Sequence, residues 1–155
     1  MAGFSDKFFA KGIVFWRQFE KPKNQAEGAV PSLTTKCLYI CSMQPAQFIG
    51  ALFASRDAMH LAHLQTSSFA EHKALNEYYD GILDYTDSFV EKYFGRTKRI
   101  PIEIPATKAE DSKAHMMKMQ ALIEGEIKNY PADLQNILQD MLGLVNETLY
   151  LLTLV

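Results

Sequence analysis

The sequence predicts an all-α protein, and three observations carry this prediction. Apolar residues recur at helical spacing through four successive segments of the chain. Proline, glycine and short Ser/Thr/Asn runs separate these segments where helices usually begin or end. The chain has 155 residues, 48% of them hydrophobic, which is enough for one domain with a packed core. We therefore predict a four-helix bundle over residues 43–155, preceded by an N-terminal extension over residues 1–42.

The N-terminal extension is rich in aromatic residues that a minimal bundle does not need. Near-helical spacing predicts a helix over residues 4–19, and a polar linker with proline and glycine follows over 20–34. The apolar run 35–42 indicates either a strand or the approach to the next helix. Exposed aromatic clusters are typical of interaction surfaces. One prediction is therefore an interface with a neighbouring subunit or another protein, formed by Phe4, Phe8, Phe15, Trp16 and Phe19. The alternative is that this segment folds back onto its own bundle.

The bundle helices are predicted at residues 43–66, 69–94, 108–129 and 131–154. Pro45 suits the first turn of the first helix. The run Thr66-Ser67-Ser68 provides a break and a cap, and Gly95 marks the end of the second helix. Thr107 and Glu110 form a capping-box pattern before the third helix.

The connections between these helices predict how they are arranged. Short turns join the first two helices and the last two, so each pair should be an antiparallel hairpin. Residues 95–106 contain Pro101 and Pro105 and should be extended. This longer connection can cross the bundle, as it does in ferritin-like folds. Simple up-and-down bundles, in contrast, have only short loops.

Composition excludes several classes of protein. A net charge of −2 predicts no general attraction to nucleic acid or to anionic membranes. No apolar run approaches the roughly 20 residues that span a bilayer, and the start of the chain lacks the pattern of a signal peptide. Two cysteines, Cys37 and Cys41, provide neither a disulfide framework nor a four-ligand zinc site. The sequence shows no phosphate-binding glycine loop and no nucleophile paired with a histidine.

Titratable side chains are concentrated between residues 56 and 91. His60 and His63 share a face of the first helix, and His72 follows the turn. The second helix then carries a carboxylate stripe at helical spacing, formed by Asp80, Asp84, Asp87 and Glu91. Mixed imidazole and carboxylate ligands suit iron, manganese or zinc. The alternative is a solvated acidic face beside a core histidine.

Residues 60–92 resemble the signature region of the Dps mini-ferritins. The family spaces two histidines twelve residues apart, then an Asp fifteen residues on and a Glu four beyond it. His60, His72, Asp87 and Glu91 stand at those separations, and Asp-Ser-Phe-Val-Glu-Lys closes the motif. The resemblance implies a homo-oligomer in which the histidines of one subunit and the acids of a neighbour bind and oxidise iron(II). Asp80 and Asp84 would be accessory acids.

The chain departs from the Dps pattern in three places. His63 resembles the family's first histidine by its local context better than His60 does, so either residue is a candidate ligand. Asn76 stands where many members have an acid. The long basic tail by which the family binds DNA is missing, so we expect no direct DNA binding by such a tail.

The segment HLQTSSFAEHKALNEYYD is also similar to short phage-encoded proteins of unknown function. This resemblance implies a second class of function, in which the bundle is a non-catalytic virion or assembly protein that contacts other phage proteins. We accordingly expect the protein in the bacterial cytoplasm or in a virion.

Overall fold

The computed structural model describes residues 43–154, which form four α-helices and, within that range, no strand. The helices are α1 (Pro45–Gln65), α2 (Phe69–Arg96), α3 (Ser112–Glu126) and α4 (Ala132–Leu151), with a short 3-10 turn at Ile127–Asn129. The predicted all-α class is confirmed. The predictions for residues 1–42, including the aromatic interface of Phe4, Phe8, Phe15, Trp16 and Phe19, lie outside the described residues.

The ends of α1 and α2 follow from their sequences. Pro45 lies in the first turn of α1, where its missing N–H has no helical partner to lose. Ser68 caps α2, because its Oγ accepts a hydrogen bond from the backbone N–H of Glu71 at 3.3 Å. Gly95 does not end α2 as predicted. The helix continues to Arg96, and the N–H of Thr97 still bonds to the carbonyl of Tyr93 at 3.0 Å.

The start of α3 differs from the predicted one. The capping box of Thr107 and Glu110 does not form, and the cap is Asp111, whose Oδ1 accepts from the N–H of Ala114 at 2.8 Å. Glu110 instead binds the ring of His115. His115, in the first turns of α3, has thus taken the side chain that the sequence pattern assigned to helix capping.

The segment between α2 and α3 crosses the bundle from one end to the other. It leaves α2 beside the start of α1, and its Glu103 carbonyl lies against Gly50. At its far end, Ser112 Oγ donates to Glu71 Oε1 at 2.6 Å, so α3 begins beside the start of α2. The predicted crossing connection is therefore present. It makes α2 and α3 parallel, whereas each hairpin is antiparallel.

The four helices enclose one apolar core. α2 packs between α1 and α4, α3 packs against α4, and α1 also touches α3. Phe48, Phe89 and Tyr130 fill one end, with the Phe48 and Phe89 rings edge to face at 5.7 Å. Tyr78 is fully buried beneath α1. Within residues 43–154, no helix combines the length and apolar character that a membrane span requires.

Candidate functional site

The histidines of α1 and α2 come together beside the turn that joins these helices. The rings of His63 and His72 stack with centroids 3.8 Å apart and planes inclined by 24°. His63 Nδ1 donates to the carbonyl of His72 at 2.9 Å, and His72 Nδ1 donates to the carbonyl of His63 at 3.2 Å. Because a carbonyl can only accept, both Nδ1 atoms carry protons, and a ring in its neutral form keeps a lone pair on Nε2.

His60 belongs to the same cluster but has different partners. Its ring stacks on Tyr79 at 4.3 Å and lies 6.0 Å from the ring of His63. The Tyr79 hydroxyl donates to Asn76, whose amide in turn donates to Asp80. Of the two candidates for a partner of His72, the structure places His63 in direct contact with it.

The four carboxylates of α2 do not join this cluster within one chain. Asp80, Asp84, Asp87 and Glu91 are all exposed. At 1.5 Å per residue, Asp87 and Glu91 lie about 22 and 28 Å along α2 from His72. Among residues 43–154, no three His, Cys, Asp or Glu side chains are close enough to hold a metal ion. A site that combines the two groups would need carboxylates from a second copy.

The stacked geometry limits what the histidine pair can bind. A metal ion lies in the plane of the imidazole that ligates it, along the lone pair of the nitrogen. Two nearly parallel rings 3.8 Å apart cannot both direct Nε2 at one ion. Each histidine can therefore supply one nitrogen, and oxygen ligands must complete any site.

Two comparisons with known proteins bear on this site. Residues 63–152 match the model of DUF5856, a family of unknown function. The chain belongs to this family. The matched region begins at His63 and includes His72, Asp87 and Glu91, whereas His60 precedes it.

The chain is also similar to a protein of Enterobacteria phage T4, the "Uncharacterized 14.6 kDa protein in mobD-ri intergenic region". The two are 30% identical over 111 residues, which is 70% of this chain and 87% of the phage protein. No solved structure gives a significant match. The similarity supports the predicted likeness to phage-encoded proteins, and neither match is to a Dps or ferritin family.

A second polar cluster lies in the interior of the bundle, away from the predicted site. Ser55 Oγ is 2.6 Å from the Tyr78 hydroxyl and 2.8 Å from His115 Nε2. His115 Nδ1 is 3.0 Å from Glu110 Oε2, which also accepts from Lys118 Nζ at 3.2 Å. The sequence indicated no pairing of a hydroxyl with a histidine, and the structure contains this one. Ser55 and His115 are 60 residues apart in sequence, so no local motif signals their contact.

The electrostatics of this cluster set its protonation. Burial raises the pKa of Tyr78, so the phenol keeps its proton. Hydrogen bonds from His115 and Lys118 hold the pKa of Glu110 below its ordinary range, so the carboxyl is ionised at neutral pH. Glu110 thus accepts a hydrogen bond from the Nδ1–H of His115.

Proposed function

We propose that this chain forms a homo-oligomer in which His63 and His72 of one copy and Asp87 and Glu91 of a second copy bind transition-metal ions, iron in the first place. The observation that carries the proposal is the reciprocal bonding of the two histidines, which leaves an Nε2 lone pair on each. In such a site iron(II) would be oxidised with oxygen or peroxide as the electron acceptor.

The path of the chain supports a ferritin-like assignment of the bundle. Two antiparallel hairpins joined by a connection that crosses the bundle distinguish ferritin-like folds from simple up-and-down bundles. The hydrogen bond from Ser112 to Glu71 and the contact of Glu103 with Gly50 fix both ends of that connection here.

The positions of the ligands on α2 favour a two-fold arrangement of copies. If two α2 helices pack antiparallel about an axis near the exposed Asp80, His72 of each copy comes opposite Asp87 and Glu91 of the other. This pairing brings together groups that lie about 22 to 28 Å apart within one chain. The relationship is isologous, as in most homodimers.

The charge of α2 suggests that metal ions would strengthen such an interface. Asp80 and Asp84 are exposed near the proposed axis, where each would approach the same residue of the second copy. Like charges repel across an interface, and bound cations would reduce that repulsion. These two acids are therefore proposed as accessory groups that attract the ion.

A second candidate function is a non-catalytic virion or assembly protein. The observation that favours it is an apolar surface beside the histidine cluster, where Leu64 is 66% and Phe69 is 79% exposed. Surfaces of this kind mark protein interfaces. In this case the two histidines would serve only to hold α1 and α2 together.

Iron(II) binding and oxidation distinguish the two candidates. We expect His72→Ala and Glu91→Ala each to lower the rate of iron(II) oxidation about 10-fold or more, since each removes a ligand. Glu147→Ala, at an exposed acid on α4, is the matched control and should behave as wild type. If all four proteins bind and oxidise iron(II) alike, the metal site is wrong and the structural function is retained.

A further inference from the structure

The polar cluster inside the bundle has the connectivity of a hydrolytic triad. Such a triad needs a hydroxyl nucleophile, an imidazole that takes its proton, and a carboxylate that orients the imidazole. Ser55 Oγ lies 2.8 Å from His115 Nε2, and His115 Nδ1 lies 3.0 Å from Glu110 Oε2. Both distances are within the range expected for these contacts.

With a neutral imidazole, the protons in this cluster can be ordered in only one satisfactory way. Glu110 is ionised and can only accept, so His115 Nδ1 must donate to it. His115 Nε2 then has a lone pair and accepts the hydroxyl proton of Ser55. Ser55 can therefore only accept from Tyr78, which donates its phenol proton. The hydrogen bonds therefore all run in one direction, from Tyr78 to Ser55 and from Ser55 to His115, so the serine hydroxyl donates to the base.

A cavity of about 630 Å³ beside these hydrogen-bonded side chains has room for a small molecule. Ser55 and His115 both line it. The rest of its wall is mainly apolar, with Ala51, Ala54, Ala58, Met119 and Leu122 among its residues. This volume is typical of small-molecule sites. An apolar wall around a hydroxyl favours a ligand with an apolar body and a single reactive polar group.

We propose that Ser55 is a nucleophile that cleaves small apolar esters in this cavity, with His115 as its base and Glu110 as the group that orients the base. Ser55 Oγ forms a bond to the ester carbonyl carbon while its proton passes to His115 Nε2. The bond from that carbon to the alcohol oxygen breaks, and the alcohol leaves with the proton from His115. Water then adds to the acyl carbon and gives a proton to His115 Nε2. The bond from that carbon to Ser55 Oγ breaks as His115 returns this proton to Oγ, and the carboxylic acid is released.

The surroundings of Ser55 determine which readout is suitable. Ser55 lies in α1, where neighbouring backbone N–H groups are used in helical hydrogen bonds. They are not free to stabilise the oxyanion, and the loss of one such donor slows an enzyme about 100- to 1,000-fold. Turnover should therefore be slow, and covalent capture of the serine is more sensitive. Ser55 is 1% exposed, so only molecules that fit the cavity should react.

The test uses a small alkyl fluorophosphonate, followed by intact mass and peptide mapping. We expect one adduct on Ser55, no adduct in Ser55→Ala, and labelling slower by about 100-fold or more in His115→Gln, because the base is removed. Ser88→Ala, at a serine of α2 outside the cluster, is the control and should label as wild type. Circular dichroism and thermal unfolding of each variant establish that it folds.

Two results would overturn the proposal. One is wild-type protein without an adduct on Ser55 under conditions that label a serine hydrolase. The other is equal labelling rates for wild type and folded His115→Gln. If that variant fails to fold, Glu110→Gln replaces it, because Glu110 is half-buried and its loss should still slow labelling at least 10-fold. An unchanged rate in Glu110→Gln would then contradict the triad.

Discussion

At the scale of single residues, Gly50 sets how closely the crossing connection can approach α1. A Cβ built on Gly50 would overlap the carbonyl oxygen of Glu103 and come within 3.6 Å of Pro105 Cδ. Both partners belong to the extended connection, whose backbone would have to move. A glycine inside a helix is otherwise unfavourable by about 1 kcal/mol relative to alanine. Close approach is thus the reason that glycine is tolerated here.

We predict that Gly50→Ala lowers the free energy of unfolding by about 1–3 kcal/mol, the usual effect of overpacking. Gly143→Ala in α4 is the matched control, since nothing lies within 4 Å of a Cβ at that position. The free energy of unfolding of this control should rise by roughly 0.5–1 kcal/mol, because alanine has the better helix propensity. Urea unfolding of both variants gives the measurement, and a stabilised Gly50→Ala would show that the connection does not lie against α1.

Glu110 makes stability depend on pH at the acidic end. Its pKa is lowered in the folded state by hydrogen bonds from His115 and then Lys118. Its stabilising contribution is therefore complete above the ordinary glutamate pKa of about 4.3 and is lost as the pH falls through the lower, folded-state pKa. Wild type should lose stability relative to Glu110→Gln on acidification from about pH 5 to about pH 3.

The pH prediction is checked by urea unfolding at several pH values. Glu124→Gln is the matched control, since Glu124 is exposed on α3 and makes no ion pair among the described residues. A constant difference between wild type and Glu110→Gln over this range would contradict the account of the cluster.

At the scale of elements, the α1–α2 hairpin depends on the paired hydrogen bonds of His63 and His72. Removal of the His63 ring takes away one donor to the His72 carbonyl, which keeps its helical partner, and leaves the His72 ring without its stacking partner. We predict that His63→Ala lowers the free energy of unfolding by about 1–3 kcal/mol, because a hydrogen bond is lost and the buried ring leaves a cavity.

His60→Ala is the control for the hairpin, since His60 only stacks on Tyr79 and its loss should have the smaller effect. Denaturant unfolding of the two variants gives the comparison. A larger effect for His60→Ala than for His63→Ala would show that the reciprocal bonds do not hold the helices together.

The helices differ in how far their sequences determine their ends. Pro45 and Ser68 act through their own backbone geometry and the next turn, so local patterns predicted the starts of α1 and α2 well. Glu110 bonds to His115 in the next turn and Asp111 caps α3 in its place, so the start of α3 was predicted about a turn too early.

The candidate sites divide into contacts that local patterns signal and contacts that they do not. The clustering of His60, His63 and His72 could be predicted, since i, i+3 spacing and one short turn bring them together. The reciprocal bonds that select His63 as the partner of His72 could not, because they depend on the exact packing of two helices. The Ser55–His115 contact depends on the crossing connection and has no local signal at all.

At the scale of the whole molecule, the crossing connection determines which surfaces each helix offers. It runs beside α1 and lines the cavity next to Ser55 with residues such as Pro105 and Thr107. The carboxylate stripe of α2 stays exposed. The two proposed sites are therefore separate, since Ser55 and His115 line a cavity within one chain, whereas a second copy would have to complete the site on α2.

The proposal that two copies share each metal site makes a specific prediction about mixtures. His72→Ala and Glu91→Ala each disable both sites of a two-fold dimer. In a mixed dimer, however, one of the two sites contains both changes and the other contains neither. Mixing the inactive variants should therefore restore intact sites, whereas sites formed within one chain would stay disabled.

The most direct test is iron(II) oxidation by an equimolar mixture of His72→Ala and Glu91→Ala, exchanged through mild denaturation and refolding. Each variant alone, treated in the same way, is the control. The account predicts that the mixture recovers about one quarter of the wild-type rate, because half of the dimers are mixed and each mixed dimer has one intact site of two. A mixture no more active than the separate variants, when wild type is active and subunit exchange is verified by mass, would contradict a site shared between copies.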